Sequence, residues 1–159
     1  NYLLYRLNMI KLAIVGGRYF SDYNKFKIIV SEHIKDIGVP NEIISGGAIG
    51  VDTMAEKYAN ENNIPIIVFK PDWNKYGKKA GILRNTDIIE ASTHVLALPC
   101  KQSIGTYDSI NKAKKLNKEL TIVNVWNNKW NNILKMDKNQ PYKYNKNQNK
   151  ILELLGLNF

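Results

Sequence analysis

The stretch Glu42-Ile43-Ile44-Ser45-Gly46-Gly47-Ala48-Ile49-Gly50-Val51-Asp52 decides the fold. A short β-branched run stops at a glycine pair, and a helical pattern follows, with Met54, Ala55, Tyr58 and Ala59 on one face. That is a strand, a tight turn and a helix. The same grammar stands upstream, where Ile10 to Val15 runs into Gly16 and Gly17. Ser21 and Asp22 then offer caps for a helix to about Ile37, with Phe26, Ile29, Val30, Ile34 and Ile37 inward.

Working outward, the alternation continues. Pro65 to Phe69 reads as a third strand, 71–77 as a loop, and Ala80 to Ala91 as a helix. His94 to Leu98 is a fourth strand, a Gly105-Thr106 turn leads into a helix ending near Leu116, and Leu120 to Val125 is a fifth strand. Alternating strands and helices predict an α/β fold, a Rossmann-like three-layer sandwich around a parallel sheet of about five strands. The expected division is a leader outside the fold at 1–8, the Rossmann-like domain at 9–125, and an Asn/Lys-rich C-terminal appendage at 126–159. Within that appendage, 151–155 has the pattern of a short amphipathic helix.

Composition narrows the function. Hydrophobic residues make up 44% of the 159, enough for a core. The 23 basic residues outnumber the 14 acidic ones, and a net charge of +9 favours phosphate-bearing partners. A single cysteine, Cys100, excludes an intrachain disulfide. No apolar run approaches the length of a membrane span, and the start carries no cleavage-site pattern, so a cytoplasmic protein is expected. Nothing resembles a metal cluster, and no cofactor is expected.

The glycine turns Gly16-Gly17, Gly46-Gly47 with Gly50, and Gly105-Thr106 each follow a strand. In a parallel sheet such turns emerge on one edge. Glycine there lets backbone approach a ligand, and each following helix offers free N–H groups and the positive end of its dipole. This predicts an anion site at the topological switch point. None of the turns has the G-x-G-x-x-G spacing or a Walker A lysine, which argues against an ordinary NAD or ATP enzyme.

Read together, Ser45 to Asp52, Pro71-Asp72-Trp73, Gly77-Lys78, Ala80-Gly81, Arg84-Asn85 and Gly105-Thr106-Tyr107-Asp108 closely resemble the YspA-type (YpsA-related) family of the SLOG superfamily. The resemblance spans about 11–125. The superfamily also holds the LOG phosphoribohydrolases and the DNA-processing protein DprA. It implies a Rossmann-like fold with a pocket for nucleotides or nucleotide-derived molecules, a YspA-type branch without an established reaction, and a set of site residues. Gly46, Gly47, Ala48 and Gly50 would cradle phosphate or ribose. Asp52 would accept ribose hydroxyls or cap its helix. Arg84 would face the ligand or make a surface ion pair, and Asn85 would bond a base or ribose. Gly105 and Thr106 would bind phosphate, with Asp108 as the acidic residue of that turn.

One departure concerns catalysis. The phosphoribohydrolases carry P-G-G-x-G-T-x-x-E, whose glutamate works with an arginine on the N-glycosidic bond. Here Ser109 stands at the glutamate position and Asp108 one residue early. One helical step rotates a side chain by about 100°.

Three functions follow as expectations. The first is a sensor or binding module for a nucleotide-derived ligand, of ADP-ribose type. The second is an N-glycosidic hydrolase of nucleoside phosphates, with Arg84 and Asp108 as its catalytic residues. The third is a binder of single-stranded nucleic acid, for which the lysine-interleaved Trp126, Trp130, Tyr142 and Tyr144 have a stacking composition. A homo-oligomer is a further expected partner. The binding site is expected to gather Gly16, Gly17, Arg18, Gly46 to Asp52, Arg84-Asn85 and Gly105 to Asp108, with Arg18 and Arg84 clamping a phosphate. Lys78, Lys79 and Lys101 would add charge, and Trp73 and Tyr76 would stack on a base or pack in the core. A catalytic role for Cys100 is disfavoured because neither His33, in a helix, nor His94, in a strand, is placed to serve it.

Overall fold

Strand β1 (Lys11–Gly16) buries four consecutive residues, Leu12 to Val15. An unbroken buried run marks a strand covered on both faces, and side-chain alternation divides it. Leu12 and Ile14 enter one core with Phe26, Ile29, Val30 and Val51, whereas Ala13 and Val15 enter another with Ile88, Ile89 and Ile110. Each face is therefore closed by its own pair of helices. The computed structural model describes residues 1–100 and 102–125. Lys101 and the whole appendage, including the expected aromatic platform and closing helix, lie outside the described residues.

After α1 (Tyr2–Leu7) and β1 come α2 (Tyr23–Ile37), β2 (Glu42–Ser45), α3 (Val51–Glu61) and β3 (Ile66–Val68). Then follow α4 (Trp73–Tyr76), a 3₁₀ turn (Gly77–Lys79), α5 (Ala80–Ala91), β4 (His94–Leu98), α6 (Ile104–Lys115) and β5 (Glu119–Ile122). The sheet order is β3-β2-β1-β4-β5, and every pairing is parallel. This is the Rossmann-like α/β sandwich. Helices α2 and α3 cover one face, and α5 and α6 cover the other. Among the described residues no helix is long and apolar enough to cross a membrane.

Local chemistry explains the boundaries. Of the two caps offered to α2, Asp22 takes the role and accepts the Lys25 N–H at 3.0 Å. Gly38 ends the helix at φ 94°, its N–H returning to the Ile34 carbonyl at 2.8 Å. The segment read as a loop at 71–77 contains α4 instead. Asp72 caps that helix by accepting the Lys75 N–H at 2.9 Å, and Gly77 ends it. At the start of the chain, 2–7 are helical, and Tyr2, Leu3, Leu4, Tyr5 and Leu7 are exposed.

Candidate functional site

Strands β1 and β4 are neighbours, and the chain winds outward from them in opposite directions, to β2 and β3 on one side and to β5 on the other. Such a reversal opens a crevice beyond the carboxyl ends of the two strands. A cavity of about 360 Å³ lies there. Its walls come from the end of β1 (Val15 to Tyr19), the loop and first turn of α3 (Ala48, Asp52), one face of α5 (Arg84, Asn85, Ile88), the β4–α6 loop, and the start of α6.

Arg84 is anchored rather than loose. Its Nη1 donates to the Gly46 carbonyl and, at 3.5 Å, to that of Phe69, while Nε donates to Asn85 Oδ1 at 3.1 Å. Burial lowers its pKa from the ordinary value; the Asp52 carboxyl opposes that shift and the Arg18 charge adds to it. A Cβ on Gly46 would stand 2.6 Å from Arg84 Nη1 and 2.7 Å from Asp52 Oδ2, so this glycine makes room for both charged groups. Asp52 is 7% exposed and accepts the Ala48 N–H at 3.2 Å. Burial pushes its pKa up to about 6, outweighing that hydrogen bond and the attraction of Arg84. Arg18, by contrast, is exposed.

Another wall is the first turn of α6. Asn85 Nδ2 donates to the Gly105 carbonyl at 3.3 Å and to Asp108 Oδ2 at 3.0 Å, tying α5 to that turn. Thr106 and Ser109 are buried cavity-lining residues. Cys100 sits under Gly17, and its N–H donates to Ser103 Oγ at 2.6 Å.

Residues 10–76 match the model of the YspA, cpYpsA-related SLOG family, YAcAr. Over that stretch the chain is similar to the YspA, cpYpsA-related SLOG family. Gene 61 protein of Mycobacterium phage D29 is 29% identical over 113 residues, covering 67% of this chain and 90% of the phage protein. Two DprA structures share the fold. DNA processing protein A from Helicobacter pylori, known for a unique single-stranded DNA binding mode, superposes with a TM-score of 0.60 at 25% identity. That match covers 92% of this chain and 80% of that one. The Streptococcus pneumoniae protein gives 0.57 at 19% identity over 73% of this chain, which spans about half of its length, 50%.

The matched stretch ends before Arg84, Asn85 and α6, so geometry alone joins them to the glycine turns. Of the residues expected at the site, Gly16, Gly17, Arg18, Ala48, Asp52, Arg84, Asn85, Gly105 and Thr106 line the cavity. Gly46, Gly47, Gly50 and Asp108 do not. The glycine loop spends donors on its own side chains, Gly47 N–H on Ser45 Oγ at 3.2 Å and Ala48 N–H on Asp52. Gly50, at φ 85°, packs on the other glycine turn, where a Cβ would stand 2.5 Å from the Gly17 carbonyl oxygen. The Asp108 carboxylate is held by Lys112 Nζ at 2.6 Å as well as by Asn85.

Trp73, Tyr76, Lys78 and Lys79 are exposed and outside the lining. The lining also includes Ser109, which stands at the glutamate position of the phosphoribohydrolase signature, and residues that the sequence did not single out, Tyr19, Gln102 and Ile104. Their only sequence signal is adjacency to a glycine turn.

Proposed function

We propose that this protein binds a phosphate-bearing nucleotide or nucleotide-derived ligand, of ADP-ribose type, at the β1/β4 switch point. The observation that carries this reading is the convergence of Arg18, Arg84 and the first turn of α6 on one cavity. Two guanidiniums and the N-terminal end of a helix of 12 residues are complementary to a phosphate. The volume of about 360 Å³ falls within the range of small-molecule sites.

Arg18→Ala is the discriminating variant, because Arg18 is exposed whereas Arg84 also braces the Gly46 turn. Thermal unfolding is measured with and without AMP and ADP-ribose. A ligand at about a hundred times its Kd raises the melting temperature by about 5–10 °C. Arg18→Ala should melt like the wild type without ligand and lose most of the rise with it. No shift of the wild type by either nucleotide, or an equal shift of the variant, overturns the reading.

The likeness to the Helicobacter pylori protein favours a second reading, in which the cavity takes a nucleotide of a single strand. The net charge of +9 suits it. Oligonucleotide binding by fluorescence anisotropy should then weaken steeply with salt. Absent or salt-independent binding removes this alternative.

A further inference from the structure

Tyr19 is 84% exposed and Ile104 is 85% exposed, yet both line the cavity. They come from different elements, Tyr19 from the turn after β1 and Ile104 from the first residue of α6. Gln102, also exposed and lining, precedes α6 on the same wall. Phosphate recognition uses none of these groups. Arg18 and the α6 turn suffice for an anion, and a sugar phosphate would have no use for an aromatic ring and a branched aliphatic chain at the opening.

We infer that Tyr19 and Ile104 form a nucleobase subsite at the mouth of the cavity, next to the phosphate-binding arginines. An aromatic ring offers a face to any base, and an aliphatic side chain offers the base a second apolar surface. Sequence order places Tyr19 directly after Arg18, and Ile104 directly before Gly105 and Thr106. Each apolar residue thus adjoins along the chain a group proposed to bind phosphate. The Gln102 amide carries both donor and acceptor, the equipment to read a base edge. Because Tyr19 and Ile104 are exposed, neither is needed to close the core, and substituting them leaves the fold intact.

This subsite rests on the anion-binding reading, and the test separates the two. Affinities for ribose 5-phosphate and for AMP, GMP, CMP and UMP are measured by calorimetry on the wild type, Tyr19→Ala and Tyr19→Phe. At least one nucleotide should bind the wild type more tightly than ribose 5-phosphate. Tyr19→Ala should weaken that nucleotide roughly tenfold, leave ribose 5-phosphate unchanged, and be rescued by Tyr19→Phe. Nucleotides that bind no better than ribose 5-phosphate, or a Tyr19→Ala loss absent or equal for both, overturn the base subsite and leave the anion site standing. If neither probe binds the wild type, both readings fall.

Discussion

Replacing Asp52 by asparagine removes a buried carboxyl while keeping its shape and an oxygen for the Ala48 N–H. The fold holds this group up to about 6, against 3.8 for a free aspartate. A raised folded pKa contributes stability that is fully present below about pH 4 and is lost as pH rises through 6. Roughly two pH units at 1.36 kcal/mol each give about 3 kcal/mol. Asp52→Asn lacks this titration. Measured against the wild type by urea unfolding followed by circular dichroism, it should gain about 3 kcal/mol between pH 4 and pH 7. The attraction of Arg84 for the ionised carboxyl is already contained in that shift. A gap that stays constant across the series refutes burial as the controlling effect. A gap running the other way shows that Arg84 holds Asp52 ionised.

Two further outcomes follow from the core. His33 is 4% exposed, its Nε2 without a hydrogen-bond partner among the described residues, and burial chiefly holds its pKa down to about 4; its stabilisation is therefore present above pH 6.5 and lost as pH falls towards 4, by about 3 kcal/mol. His33→Leu should flatten that acid loss in urea titrations at pH 4 and 7, and parallel profiles would count against it. A Cβ on Gly17 would collide with the Cys100 side chain, so Gly17→Ala should cost about 1–3 kcal/mol by thermal unfolding. The cost should shrink in a Cys100→Gly background; an undiminished cost would mean that the collision is not its source.

The fold was legible because its evidence is periodic. Strands β1 and β4 are unbroken apolar runs, and the inward faces of α2 and α3 repeat at helical spacing. Helix α4 was not, since four residues between Pro71 and Gly77 read as turn chemistry, and only the Asp72 cap betrays a helix. The glycine turns were visible as turns, but not the direction of their N–H groups. That direction depends on competition from Ser45 and Asp52, whose side chains take the donors of Gly47 and Ala48. Tyr19 and Ile104 were invisible for a different reason. An exposed apolar residue carries no pattern, and its meaning arises only when the fold sets it at the opening of a cationic cavity.

The acidic residues show how one helical step redistributes roles. Asp108 and Ser109 are adjacent on α6, about 100° apart around the axis. Ser109 is 2% exposed and lines the cavity, whereas Asp108 joins Asn85 and Lys112. In this chain Asp108 therefore positions Asn85, which in turn holds the Gly105 carbonyl. The carboxyl beside Arg84 comes instead from the first turn of α3, as Asp52. Among the described residues lining the cavity there are two arginines and one carboxyl, Asp52, whose pKa burial raises. The balance is positive at neutral pH and more so below pH 6. An anionic ligand supplies the opposite charge, and for that reason the electrostatics of the cavity support binding more directly than they support a reaction requiring a carboxylate from α6.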